Sequence, residues 1–134
     1  MITYLLDTNI CIYIIKQKPI EVFERFQMLD MGLIGISSIT AAELQYGVHK
    51  SSFPEKNDAA LREFLIPLEI LPFNSEATIP YGKIKTQLER AGRTIGPLDT
   101  LIGAHAISLD ATLVTNNLKE FSRIEGLKTE NWIV

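Results

Sequence analysis

The chain has 134 residues, 46% of them hydrophobic and 22% charged, with a formal net charge of −3 at pH 7. This length supplies one domain with a sizeable core and excludes two, and the composition excludes a disordered chain, so residues 1–134 read as a single globular domain. Mild acidity argues against a protein that coats nucleic acid but not against a nuclease, because phosphate is drawn to a local basic face and metal-binding acids lower the net charge by themselves.

The single cysteine, Cys11, excludes an internal disulfide framework and suits a reducing cytosol. The first residues lack a basic segment leading into an apolar core and a cleavage site, and no apolar run approaches bilayer length. The expectation is a soluble, cytoplasmic protein with no membrane partner.

In chain order, Ile2 to Leu6 reads as a strand that delivers Asp7 at its carboxyl end, where open α/β sheets place their ligand crevice. Thr8 or Asn9 is placed to cap a helix over Asn9 to Ile15, which Lys16, Lys18 and Pro19 stop. A second helix covers Ile20 to Met28, and Leu33-Ile34-Gly35-Ile36 reads as a buried strand. Ser37, Ser38 or Thr40 can cap a helix carrying Ala41-Ala42-Glu43-Leu44 on to Val48, with Gly47 a weak spot near its end.

The spacing of Ala60, Leu61, Phe64 and Leu65 predicts an amphipathic helix over Pro54 to Ile66, and Leu68 to Leu71 a short strand. A longer helix runs from about Ser75 to Ala91, closed by Gly92. Pro80 lies beyond its first turn and predicts a kink, or a later start capped by Thr78. Pro97 suits the first turn of a buried helix through Ile107, Ala111 to Thr115 is the clearest internal strand, Asn117 to Phe121 a turn of helix, and Leu127 to Val134 an edge strand or tail.

Short strands alternating with longer helices imply a three-layer α/β/α sandwich with a central parallel sheet. Right-handed crossovers put all strand carboxyl ends on one edge, which Asp7 and the Thr115-Asn116-Asn117 turn then share. Glu43 and Asp99 fall in first helical turns, where backbone N–H groups and the helix dipole favour negative charge.

Asp7, Glu43 and Asp99, with Glu120 as a further candidate, offer only hard oxygens, with no cysteine or suitably spaced histidine beside them. Such a set selects Mg²⁺, with Mn²⁺ a possible substitute, over zinc. Clustered carboxylates repel unless cations neutralise them or some stay protonated. Two ions roughly 4 Å apart can activate a water and stabilise the leaving oxygen of a phosphodiester. Each acid also has an ordinary explanation: Asp7 a helix cap, Asp99 a dipole partner, Glu120 a surface charge beside Lys119 and Arg123. Glu43, in an apolar stretch, fits a solvated face least well. Cys11 and His105 read as core residues and His49 as surface.

Leu6-Asp7-Thr8-Asn9, Ser38-Ile39-Thr40-Ala41-Ala42-Glu43-Leu44 with Gly47, Ile95-Gly96-Pro97-Leu98-Asp99, and Leu113-Val114-Thr115-Asn116-Asn117 with Phe121 resemble the PIN-domain ribonucleases. More closely, they are similar to the VapC toxins of bacterial VapBC toxin–antitoxin modules. The resemblance spans essentially the whole chain, as four short motifs in the family's order.

It implies Asp7 and Asp99 as direct metal ligands, and Glu43 as the ligand of a second metal or the holder of its water, orienting the attacking water. Thr8 or Asn9, Thr115, and the Asn116-Asn117 pair would stand behind the acids and orient them. Many relatives carry an aspartate where this chain has Asn117. Either Glu120 supplies the fourth charge, or only one metal binds tightly.

The implied function is a Mg²⁺-dependent endoribonuclease that arrests growth by cutting cellular RNA, with structured RNA such as tRNA the favoured substrate. The implied partners are a cognate VapB-type antitoxin that blocks the acidic pocket and a second copy of the chain, within a larger toxin–antitoxin complex. Ile10 to Ile15 and Leu44 to Val48, with Tyr13 and Tyr46, are candidates for the antitoxin groove, with core packing the equal alternative, and the Ile79 to Leu88 helix is a candidate dimer contact. Arg90 and Arg93, beyond Lys83 and Lys85, can track an RNA backbone towards Asp99 or form a plain solvated face. Two rivals remain. An aspartyl-phosphate phosphatase would use Asp7 but needs an acid where Asn9 stands, and a PIN-like scaffold would bind RNA or a partner without catalysis.

Overall fold

Leu5 and Leu6, adjacent in β1 (Tyr4–Leu6), are both fully buried. Successive strand side chains point to opposite faces, so this pair demands a core on each side of the sheet. Leu6 joins Ile10, Ile14, Val22, Phe26 and Leu44 in one core, while Leu5 joins Ile84, Leu88, Ile102, Leu113 and Phe121 in the other. Two cores around one sheet make the three-layer sandwich that the alternating pattern implies.

A computed structural model describes residues 1–133. After β1 come α1 (Thr8–Lys16), α2 (Ile20–Met28), a 3₁₀ turn at Met31–Leu33, β2 (Ile34–Ser37), α3 (Ser38–Lys50), α4 (Pro54–Leu65) and β3 (Glu69–Leu71). Then follow α5 (Ser75–Arg90), α6 (Pro97–Ser108), β4 (Thr112–Val114), α7 (Leu118–Phe121) and β5 (Thr129–Glu130). The expected closing strand is thus two residues long, and Val134 lies outside the described residues. Among the described residues no helix is long and apolar enough to cross a membrane.

Every strand pairing is parallel, in the order β3-β2-β1-β4-β5. The chain builds outward from β1 to β3, then returns to lay β4 on the other flank of β1. The switch of direction therefore falls between β1 and β4, where open α/β sheets leave a crevice at their carboxyl ends. Asp7 and Thr115 are the first residues past those two strands, and the Asp7 N–H donates to the Val114 carbonyl at 3.0 Å.

Gly35 sets the spacing of β2 against β3. A Cβ there would lie 2.7 Å from Leu71 Cδ1 and 3.0 Å from the Glu69 carbonyl oxygen, so any side chain would push the two strands' contacts apart. Gly92, at φ +65°, takes the left-handed turn that ends α5.

Three local expectations change. Helix α1 starts at Thr8 and is capped by Asp7, not by Thr8 or Asn9, because the strand-end carboxylate already reaches the Ile10 N–H at 2.9 Å. Helix α3 starts at Ser38, capped by the Ser37 hydroxyl, which accepts from the Ile39 N–H; Glu43 thus sits in the second turn, beyond the reach of the dipole argument. Helix α5 is capped by Asn74, not by Ser75 or Thr78, and runs through Pro80 with no later start. Burial of Ala77, Ile84 and Leu88 offsets the roughly 3 kcal/mol that an interior proline costs.

Candidate active site

Asp7 is 4% exposed, and both of its carboxylate oxygens are engaged. Oδ1 caps α1 through the Ile10 N–H, and Oδ2 accepts from the Thr115 hydroxyl. The Thr115 oxygen in turn accepts from the Asn117 N–H at 3.0 Å, which fixes the hydroxyl's direction. Each carboxylate oxygen carries two lone pairs, so one per oxygen is left for a further ligand. Asp7 therefore caps a helix and keeps capacity to coordinate. Burial raises its pKa above the usual carboxylate range; the bonds from Thr115 and from the Ile10 and Asn9 N–H groups pull it back, and Glu43 pushes it up.

Glu43 comes from α3 and is half-buried. Its Oε1 accepts from the Thr8 hydroxyl at 2.6 Å. Asp99 enters from the first turn of α6, two residues after Pro97 starts that helix, and turns Oδ2 back towards Gly96. Its pKa is pushed up to about 6, first by burial, then by the charges of Glu120, Glu43 and Asp7 and by a hydrogen bond with Glu120. Carboxylates influence one another this strongly only at close range. Asp7, Glu43, Asp99 and Glu120, delivered by four different elements, thus share one electrostatic pocket at the carboxyl edge of the sheet.

The chemistry of these donors fits a hard divalent cation. Mg²⁺ keeps several waters and is held by one or two carboxylates rather than a closed protein cage. Among the described residues no three histidine, cysteine, aspartate or glutamate side chains are close enough to form a closed cage. Asp99's raised pKa reflects burial first and then the charges of Glu120, Glu43 and Asp7, charges that a bound cation would offset.

The remaining residues singled out from sequence divide. Thr8 and Thr115 contact the acids directly. Asn9 and Asn117 contribute backbone N–H groups, to Asp7 and to Thr115, and the Asn9 side chain is exposed. Asn116 instead donates to the Tyr13 hydroxyl at 3.1 Å, bracing the β4–α7 turn against α1. Arg90 and Arg93 are exposed at the end of α5, outside the acid pocket. His49 is exposed; His105 is buried, with Nδ1 2.8 Å from the Ser37 hydroxyl, and burial lowers its pKa so that it stays neutral at pH 7. Cys11 is buried and its thiol pKa is raised, which leaves it unreactive.

Arg123, which the sequence offers only as a charged neighbour of Glu120, donates from Nη1 to the Thr94 carbonyl at 2.9 Å. That bond ties the turn after α7, which carries Glu120, to the loop that leads to Asp99. Its spacing of three from Glu120 was the only available signal.

The PIN domain family model matches residues 4–127. Ribonuclease VapC2 of Haemophilus influenzae is 47% identical over 99% of this chain and 100% of its own length. The tRNA(fMet)-specific endonuclease VapC of Shigella flexneri is 46% identical over 98% of this chain and 99% of its own. Among solved structures, VapBC2 from Rickettsia felis bound to a DNA fragment from their promoter superposes with a TM-score of 0.91 at 49% identity, covering 98% of this chain and 99% of that one. Near-half identity along entire lengths, on coincident folds, places this chain in the PIN-domain family, among the VapC ribonucleases.

Proposed function

We propose that this VapC-family ribonuclease is a Mg²⁺-dependent endonuclease and the toxin of a toxin–antitoxin pair, a single PIN domain that cuts structured RNA of the tRNA class in the cytoplasm and so arrests growth. The observation that carries this reading is the four-acid pocket, in which Asp99 is pushed up to about 6 by burial and by its neighbours' charges. The tRNA specificity named for the Shigella flexneri relative supports the substrate class.

Asp7 and Asp99 would hold the cation, with Glu43 and Glu120 closing the pocket from α3 and α7. When bound, such an ion supplies a Lewis acid and a water made nucleophilic near neutral pH. Thr115 keeps Asp7 aimed and Thr8 keeps Glu43 aimed. Glu43 would orient the attacking water. An acid where Asn9 stands is what a phosphoryl-aspartate route would need, and Asn9 brings only a backbone N–H to Asp7.

The antitoxin seat we assign is a groove between α1, α3 and α4, lined by Ile12, Ile15, Leu44, Val48 and Leu61, with Glu43 at its margin. A partner helix there would lie against the acid pocket, in keeping with the VapBC complexes among the structural neighbours. For a homodimer, Ile84 and Leu88 are consumed by the chain's own core, which leaves Ile79, 63% exposed, as the apolar contact on α5.

The test is 5′-end sequencing of cellular RNA after brief expression of the chain and of its Asp7→Asn variant, which keeps the helix cap. Cut sites confined to the parent are expected; equal cutting by both proteins would overturn the assignment.

A further inference from the structure

We propose that Arg90, Arg93 and Arg123 form a phosphate-binding subsite that holds the RNA backbone beside the acid pocket; this rests on the ribonuclease reading above. The three arginines line one surface cleft of about 420 Å³, between the end of α5 and the turn after α7. The left-handed turn at Gly92 folds the chain back so that Arg93 lines the same cleft as Arg90.

The cluster is not a product of composition. The chain carries 16 acidic against 13 basic residues, and Arg25, Arg62 and Lys128 each have a carboxylate at 2.8 to 3.0 Å. Among the described residues none of the three cleft arginines has one within ion-pairing distance, although Glu125 also lines the cleft. In an acid-rich chain, three converging unpaired guanidinium groups form a local positive field of the kind that draws a polyanion.

Arg123 adds a second, independent observation. One arm is held by the Thr94 carbonyl, while its Nε is buried with no hydrogen-bond partner. The bond to Thr94 fixes the guanidinium at the cleft wall and leaves its other terminal nitrogen to donate to a phosphate oxygen. Arg123's N–H also bonds the Glu120 carbonyl at 3.1 Å. Arg123 therefore joins the cleft to the loop that leads to Asp99 by its side chain and to Glu120 by its backbone. An RNA strand with its scissile phosphate at the acids must continue past them, and neighbouring phosphates fall to this cleft.

The test measures equilibrium binding of a labelled, unfractionated tRNA pool to the full-length Asp7→Asn protein over a range of salt concentrations. Arg90→Ala/Arg93→Ala is expected to weaken binding several-fold and to reduce the slope of log K against log salt by about two, one for each lost contact. Arg90→Lys/Arg93→Lys, which keeps the charges, should retain the slope. Arg123→Gln should weaken binding with the acids intact. Unchanged affinity and slope in the alanine pair overturns the subsite, as does an equal loss in the lysine pair accompanied by a lowered melting temperature. Loss of binding to an acidic protein partner with RNA affinity untouched overturns it too. Cleavage by the parent chain is scored separately: arginine-dependent binding without cleavage sinks the ribonuclease reading alone, and cleavage with arginine-independent binding sinks the subsite alone.

Discussion

The Thr8 hydroxyl donates to Glu43 Oε1 at 2.6 Å and so joins the first turn of α1 to the second turn of α3, 35 residues away. A glutamate side chain loses up to about 2 kcal/mol of rotamer freedom on being fixed, and this bond fixes it before substrate arrives. Thr8→Val keeps the shape and removes the donor. Cleavage under single-turnover conditions should fall roughly 10- to 100-fold, the range for partners that orient ligands. The melting temperature should barely move, because a partly buried hydrogen bond contributes only about 1 kcal/mol. A large drop in stability with an unchanged rate would give Thr8 a purely architectural role.

Thr115 makes the corresponding bond to Asp7, but in a fully buried setting. Thr115→Val should cost about 1.5 to 3 kcal/mol in urea unfolding, since a buried carboxylate loses its side-chain donor. Thr115→Ser should restore most of the stability and most of the cleavage. Equal destabilisation by serine would mean that the methyl group, not the hydroxyl, matters.

Asp99 gives a pH dependence with a definite sign. Its folded pKa, about 6, lies above the ordinary 3.8, so between those values the folded state binds more protons than the unfolded one. Its contribution to stability is therefore present at low pH and is lost as pH rises through about 6. Asp7, also raised, acts in the same sense, whereas buried His105, with its pKa lowered, loses stability as pH falls through 6.5. Thermal melts in chelator should isolate the first effect as the difference between the parent and Asp99→Asn. The variant should gain on the parent as pH rises from 4 to 7; parallel curves would exclude the repulsion.

Gly35→Ala tests the sheet rather than the site. The added methyl would meet Leu71 Cδ1 at 2.7 Å and a strand carbonyl at 3.0 Å, and only the first of these can move. Overpacking of this kind costs typically 1 to 3 kcal/mol, read as a lower urea midpoint with an unchanged slope.

The layers and strand direction were legible because the periodicity is local: Leu5 and Leu6, or Leu113 and Val114, announce burial on both faces without reference to the rest of the chain. Helix α2 was bounded correctly over Ile20 to Met28 because Pro19 and the polar turn after it punctuate a clear 3.6-residue pattern. The later start considered at Pro80 fails for the converse reason: the packing of α5 on its core overrides a local penalty, and that packing is invisible in a window of sequence.

The acids were legible one by one as residues at element ends. Their convergence was not, above all for Glu120, which sits in a polar turn beside Lys119 and reaches Asp99 only through the fold. Asp7 shows a further limit. A helix cap and a ligand ask for the same residue at the same place, and here one carboxylate does the first and remains able to do the second.

The central position of β1 bears on how the protein is born. Of these five strands the first to leave the ribosome is the middle strand of the finished sheet, and the hydroxyl that holds Asp7 follows 108 residues later. An interrupted or truncated chain thus carries the inner acid without the residue that aims it and without Glu120. A nuclease built on this strand order brings its acids together only after β4 and α7 have joined β1.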